Sequence, residues 1–116
     1  MAEYIEILKI GEMNNGEMRE ISIQGKDIVL VRVDDKFYAA SNECPHMRAK
    51  LAKGTLNGTI VTCPRHASQF DIKDGHVVRW TDWSGAKLAV SKLFRSPRPL
   101  PTYPVKIDGD KVLVEI

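Results

Sequence analysis

The chain has 116 residues and a mass of 13.0 kDa, with 43% hydrophobic residues, 28% charged residues and a formal net charge of +2. This composition excludes disordered, collagen-like and coiled-coil chains, and the length fits one domain over residues 1–116. No apolar run approaches the roughly 20 residues that cross a bilayer, and the first residues lack the pattern of a signal peptide. We therefore expect a cytoplasmic protein that does not bind membranes.

Most of the chain has the pattern of short β-strands. Runs rich in β-branched residues alternate with Asn-Gly and Asp-Gly turns, which favour antiparallel hairpins. The expected fold is all-β, a small antiparallel sandwich or barrel. The predicted strands are Tyr4–Ile10, Met18–Ile23, Ile28–Val33, Phe37–Ala40, Thr59–Thr62, Gln69–Ile72, His76–Val78, Tyr103–Ile107 and Lys111–Ile116.

One late stretch has the spacing of a helix instead. Apolar residues from Trp83 onward share one helical face, which predicts a short helix over residues 83–95. Pro97 prevents this helix from continuing, because proline restricts the residue before it. The proline-rich segment 96–101 is expected to be extended, since proline fixes φ and removes the amide donor.

Both cysteines and two of the three histidines lie in two short loops. The first loop is Cys44-Pro45-His46 and the second is Cys63-Pro64-Arg65-His66, with sixteen residues between them. Two cysteines are too few for a disulfide framework, whereas thiolate and imidazole together are ligands for transition metals. The sequence therefore predicts a metal site with the ligands Cys44, His46, Cys63 and His66.

Two kinds of metal centre take this ligand set. A structural zinc ion would bind all four ligands in a closed tetrahedron, but a single residue inside Cys-x-His is a short spacing for that geometry. A two-iron cluster can bind the thiolates on one iron and the imidazoles on the other, so that each loop straddles it. The spacing favours the iron–sulfur cluster, and a zinc-stapled interaction module without a redox role is the alternative.

At these loops the sequence resembles Rieske-type [2Fe–2S] proteins, specifically the small soluble Rieske ferredoxins. The resemblance rests on CPH at 44–46, KGTLNGTIVTCPRHASQFDIKDG at 53–75 and SPRPLPTYPVKIDGDKVLV at 96–114. It implies an all-β domain with a cluster-binding subdomain over about residues 42–72 and a function in one-electron transfer.

The same resemblance assigns roles to individual residues. It implies that Cys44 and Cys63 bind one iron of a [2Fe–2S] cluster and that His46 and His66 bind the other. Ser68 would donate a hydrogen bond to a bridging sulfide. The histidine edges would face solvent, where an electron can leave or enter.

Several positions depart from the family pattern, among them Arg48, near which members often have glycine. Ala49 and Arg65 stand where high-potential members have two additional cysteines, and Phe70 stands where members often have tyrosine. Because hydrogen bonds to the sulfurs stabilise the reduced cluster, we expect a potential in the lower part of the roughly −150 to +300 mV Rieske range. Ala67 stands where glycine is frequent, and a positive φ there would cost roughly 1–2 kcal/mol.

Acids and bases are unevenly distributed along the chain. Residues 1–43 contain nine acids and five bases, whereas residues 44–70 contain four bases and no acid. We expect the end that carries the metal site to be basic, and its redox partners to present an acidic docking patch. No recognition motif or aromatic platform accompanies the bases, so we expect no nucleic-acid partner.

These features together predict an electron carrier and not an enzyme. The resemblance implies that it passes electrons from a reductase to a terminal oxidoreductase such as a ring-hydroxylating dioxygenase. We expect no small-molecule substrate, because the chain lacks glycine-rich nucleotide motifs. A small Rieske subunit of a nitrite-reductase-like complex is the second electron-transfer role that the sequence allows. The third histidine, His76, is predicted to lie on the surface in a turn.

Overall fold

The structure, a computed structural model, describes residues 3–45, 49–64, 67–79 and 99–116. Two 3₁₀ turns occur in these ranges, Ile10–Glu12 and Leu51–Lys53. The strands are β1 (Tyr4–Lys9), β2 (Met18–Ile23), β3 (Lys26–Val33), β4 (Lys36–Ser41), β5 (Thr55–Asn57), β6 (Ile60–Thr62), β7 (Gln69–Asp71), β8 (Val77–Arg79), β9 (Thr102–Tyr103), β10 (Val105–Asp108) and β11 (Lys111–Glu115).

The all-β architecture predicted from the sequence is confirmed. The helix predicted over 83–95 lies outside the described residues. Within the ranges that the structure describes, no helix has the length and apolar character needed to cross a membrane.

One predicted strand is two strands in the structure. The sequence predicts a strand over Tyr103–Ile107, but β9 pairs with β4 while β10 pairs with β11 in another sheet. Pro104 separates them and, having no amide hydrogen, cannot continue a ladder. The prediction of one continuous strand is therefore wrong, and the short strand β5 is not predicted at all.

The described strands form three antiparallel sheets. The first sheet has the order β1-β11-β10, the second β2-β3-β4-β9 and the third β5-β6-β7-β8. Because β9 and β10 follow one another in the chain, the segment around Pro104 connects the second sheet to the first. Strands β6 and β7 of the third sheet pair with each other and flank the second cysteine loop.

The interior strand of the second sheet, β3, is buried on both faces. Strand β3 carries the continuous apolar run Ile28-Val29-Leu30-Val31, of which each residue is at most 1% exposed. Because side chains alternate along a strand, Ile28 and Leu30 belong to one core, which we call the first core, and Val29 and Val31 to the second core. The first core also contains Leu8, Met13, Phe37, Ala39, Val112 and Val114. The second core also contains Ala40, Cys44, Leu51, Val61, Cys63, Phe70, Ile72 and Leu100.

The end of the proline-rich segment is hydrogen-bonded to the turn before β8 and to the end of β4. The Leu100 amide donates to the carbonyl oxygen of Gly75 at 2.8 Å, and the Ser41 amide donates to that of Pro101 at 2.9 Å. Gly75 has φ +82°, and a Cβ at this position would lie 2.0 Å from the Leu100 carbonyl oxygen. Glycine at position 75 therefore permits both the left-handed backbone and the close approach that closes the second core.

Replacing Gly75 with alanine should destabilise the fold more than the same change at Gly16. Both glycines have φ +82°, so each alanine costs roughly 1–2 kcal/mol of left-handed strain. At Gly75 the new Cβ also meets the Leu100 backbone, whereas nothing lies within 4 Å of a Cβ at Gly16. Urea unfolding should therefore show a clearly larger loss of stability for Gly75→Ala, and equal losses would contradict the close approach.

Candidate metal centre

The two cysteines begin loops that are closed in the same way. The Cys44 amide donates to the Ala49 carbonyl oxygen at 2.9 Å, and the Cys63 amide donates to the Ser68 carbonyl oxygen at 2.8 Å. Each cysteine is thus bonded to the residue five positions later. One pair further out, Glu43 forms a bridge with Lys50, and Thr62 is the strand partner of Gln69.

Both cysteines are buried in the second core. Cys44 is 0% exposed and Cys63 is 2% exposed, and they belong to one contiguous set of packed residues. Loops that are distant in sequence therefore bring their sulfur atoms into the same sheltered region. Thiolates shielded from water by aliphatic side chains are suitable ligands for a soft transition metal or an iron–sulfur cluster.

The other predicted ligands are only partly covered by the structure. His46 and His66 lie outside the described residues, so their assignment stays a prediction. Ser68 is fully buried at the end of the second loop, directly before β7. The described donor set, two buried cysteines from matched loops, fits a two-iron cluster in which both thiolates bind one iron.

Gly54 marks the contact between the two loop regions. It follows the 3₁₀ turn Leu51–Lys53, which comes directly after the first loop. A Cβ at Gly54 would lie 1.9 Å from the Thr62 carbonyl oxygen and 3.2 Å from Pro64 Cδ. The chain leaving the first loop thus passes directly against the chain entering the second loop, and only glycine allows this separation.

Asn42 connects the first loop to β3 and to the 3₁₀ turn. It is 0% exposed, and its amide nitrogen and Nδ2 donate to the carbonyl oxygen and Oδ1 of Asp27 at 3.0 and 3.1 Å. Its carbonyl oxygen accepts from the Leu51 amide at 2.7 Å, and its Oδ1 accepts from the Ala52 amide at 2.8 Å. Because all four polar groups of Asn42 are hydrogen-bonded, the start of the first loop is fixed on both sides.

Lys50 is surrounded by carboxylates. Its Nζ forms an ion pair with Asp27 Oδ2 and lies 3.9 Å from Glu20 Oε1. The hydrogen bond with Asp27 is the main reason why the pKa of Lys50 is above its ordinary value, and the charges of Asp27, Glu20 and Glu43 act in the same direction. The fold therefore compensates one of the four bases that the sequence places between residues 44 and 70.

Phe70 occupies the middle of the third sheet. It is 0% exposed, lies opposite Val61 of β6 and is the strand partner of Val77 of β8. Its ring contributes apolar burial to the second core, and it carries no hydroxyl group. Phe70 therefore lies in the same core as both cysteines but cannot donate the hydrogen bond that a tyrosine would.

Ala67 has a backbone conformation that alanine rarely adopts. Its φ is +53°, in the left-handed region that costs a non-glycine residue roughly 1–2 kcal/mol. The Arg79 guanidinium binds the Ala67 carbonyl oxygen, with Nε at 3.1 Å and Nη2 at 2.9 Å. The sequence analysis raised the question of strain at Ala67 but missed Arg79.

The third histidine lies on the surface, as predicted. The His76 side chain is 58% exposed, and its Nδ1 lies 2.6 Å from Asp74 Oδ1. The hydrogen bond from the His76 amide, followed by the one from its imidazole, holds the pKa of Asp74 below its ordinary value. His76 is thus engaged in a local turn contact that is independent of the two cysteine loops.

Comparison with known sequences shows a family match along most of the chain. The sequence profile described as "Rieske [2Fe-2S] domain" matches residues 3–104. The ferredoxin component of the naphthalene 1,2-dioxygenase system of Pseudomonas aeruginosa is 27% identical over 114 residues, covering 98% of this chain and 96% of that protein. Apoptosis-inducing factor 3 of Homo sapiens is 31% identical over 108 residues, which are 93% of this chain and 16% of that protein.

Solved structures with the same fold include oxygenase-system ferredoxins. The ferredoxin of carbazole 1,9a-dioxygenase from Nocardioides aromaticivorans IC177 has a TM-score of 0.79 at 24% identity, covering 96% of this chain and 95% of that one. A chain in a complex of reduced oxygenase and oxidised ferredoxin in carbazole 1,9a-dioxygenase has a TM-score of 0.76 at 26% identity, covering 96% and 91%.

Replacing Gly54 with alanine should impair the metal centre. The added Cβ would meet the Thr62 carbonyl oxygen, and the backbone leaving one cysteine loop would have to move away from the other. We expect less bound metal per chain and a lower free energy of unfolding. Gly11→Ala is the matched control, because nothing lies within 4 Å of a Cβ there. Full metal content in Gly54→Ala would contradict this role of the contact.

Proposed function

Because the chain belongs to the family of Rieske [2Fe–2S] domains, we propose that it is a ferredoxin that carries single electrons from a reductase to a ring-hydroxylating oxygenase. The family's cofactor is a [2Fe–2S] cluster. The observation that carries the proposal is the pair of identically closed cysteine loops meeting in one buried core. Relatives that match almost end to end are ferredoxin components of dioxygenase systems, which supports a carrier and not an enzyme.

The proposed ligands are those that the family pattern assigns. Cys44 and Cys63 would bind one iron and His46 and His66 the other, with Ser68 as a hydrogen-bond donor to the cluster. When bound, the cluster supplies one-electron redox chemistry. A cluster-binding subdomain over about residues 42–72 is part of this proposal, as is a cytoplasmic location.

The chain's own residues have three tasks in this role. The hydrogen bonds from the Cys44 and Cys63 amides close the two loops and fix the backbone of each cysteine. The aliphatic side chains of the second core and Phe70 shield the cysteines from water. Phe70 offers no hydroxyl group to the cluster sulfurs, which supports a potential in the lower part of the Rieske range.

The spectrum of the purified protein should distinguish this proposal from a zinc-stapled module. We expect a red-brown protein with visible charge-transfer bands, equal amounts of iron and acid-labile sulfide, and pulsed-EPR couplings to histidine nitrogens after reduction. His46→Ala and His66→Ala should lose these signals, because each removes a ligand of one iron.

His76→Ala is the control for both substitutions, since His76 is an exposed turn residue. It should retain the full spectrum and the full iron content. A colourless protein with one zinc ion per chain would overturn the carrier function. A Rieske spectrum without electron transfer to an oxygenase would instead favour the subunit of a nitrite-reductase-like complex.

The proposed partner surface is basic, although not uniformly so. Lys50 is compensated by Asp27 and Glu20, which leaves Lys53 as an exposed base next to Gly54 and hence beside the contact between the loops. Arg79 adds a cation at the second loop. We propose that these charges steer the molecule toward an acidic patch on its redox partner.

This steering can be measured with a small polyanionic oxidant. Oxidation of the reduced protein by ferricyanide should slow as ionic strength rises, because salt screens the attraction. Lys53→Glu should lower the rate several-fold at low salt, and the two proteins should converge at high salt.

Lys36→Glu is the matched control for the charge change. Lys36 is exposed at the far end of β4 from the first loop, so its charge should matter little to electron exchange. A rate that does not depend on salt, or an equal loss in both variants, would contradict a basic exchange surface.

A further inference from the structure

Arg79 holds one specific backbone atom of the second loop. As the last residue of β8 it is the strand partner of Gln69, and the register shifts between Gln69 and Phe70. From there its guanidinium places two nitrogen atoms on a single acceptor, the carbonyl oxygen of Ala67, at 3.1 and 2.9 Å. Hydrogen bonds from a charged donor are about twice as strong as neutral ones.

The residue that Arg79 binds is one that the backbone disfavours. Ala67 has φ +53°, a conformation in which the Cβ of an L-residue is crowded. It stands directly before Ser68, whose carbonyl closes the loop by accepting from the Cys63 amide. If position 67 relaxed to an ordinary φ, the chain direction would change within the loop and this closing bond would be lost.

The charge of Arg79 is not compensated by a carboxylate in the described parts of the chain. None of the ion pairs found there involves Arg79, in contrast to Lys50 at the first loop. A cation beside a redox centre favours the more negative, reduced state, and the effect is larger where protein replaces water.

We propose that Arg79 is a positioning residue of the metal centre with two separable effects. Its two-nitrogen contact holds Ala67 in the left-handed conformation that the second loop requires, and its charge raises the reduction potential. The inference rests on the proposed cluster function. It extends that function by assigning an electrostatic and a conformational role to a residue at the end of β8, outside both cysteine loops.

Two substitutions separate the effects. Arg79→Lys keeps the charge but loses the planar pair of donors, whereas Arg79→Gln removes the charge and keeps an amide donor. We expect Arg79→Gln to lower the equilibrium constant for reduction by roughly threefold to tenfold, where tenfold corresponds to 59 mV for one electron. Arg79→Lys should stay closer to the wild-type potential, and Lys36→Gln should leave it unchanged.

Iron release and deuterium uptake test the conformational role of Arg79. Both Arg79 variants should release iron to a chelator faster than the wild type, and deuterium uptake over residues 63–68 should rise while uptake over 44–49 stays unchanged. Introducing Ala67→Gly in the Arg79→Lys background should restore slow release, because glycine adopts the left-handed conformation without strain.

The outcomes distinguish this inference from the proposed function. A wild-type protein without a Rieske spectrum would overturn the carrier function whatever the variants do. If the wild type carries the cluster, wild-type potential and wild-type iron release in both Arg79 variants would overturn the role of Arg79. A uniform loss of stability without a change in potential would reduce Arg79 to a structural residue and would also contradict the inference.

Discussion

The metal centre depends on one constraint, the meeting of two cysteines from separate loops inside a single core. Cys44 and Cys63 are held by the same type of bond, from the cysteine amide to the carbonyl five residues later. Gly54 lets the two chain segments touch, because any side chain there would collide with Thr62. The second core therefore serves both as hydrophobic core and as the wall of the site, which joins the stability of the fold to the geometry of the ligands.

The second sheet makes this arrangement possible. Its central strand β3 is buried on both faces, with one face against the first sheet and the other against the cysteines. Asn42, just before the first loop, forms two hydrogen bonds with Asp27 of β3 and two with the amides of Leu51 and Ala52 in the turn that follows the loop. The loop is thus fixed to the most deeply buried strand and not to a sheet edge.

The second loop departs from local backbone preferences at the position nearest to the predicted ligands. Ala67 adopts a left-handed conformation where glycine would be favoured, and the Arg79 guanidinium binds the carbonyl of that same residue. Violations of local rules concentrate at functional sites, where contacts from the rest of the fold maintain them. The charges at the two loops also differ: Lys50 forms ion pairs with Asp27 and Glu20, whereas none of the ion pairs among the described residues involves Arg79.

The β-class, most strand positions and the kind of cofactor were predictable from the sequence, because strand alternation, turn residues and the Cys-x-His and Cys-x-x-His spacings are local patterns. It did not reveal β5, the change of sheet at Pro104, or the roles of Asn42, Gly54 and Arg79. Each of these depends on which backbone atom lies opposite, and that partner is often distant in the chain: Asp27 for Asn42, Thr62 for Gly54, Ala67 for Arg79. Only the tertiary structure decides these pairings, because strand register and close packing are properties of the assembled sheets.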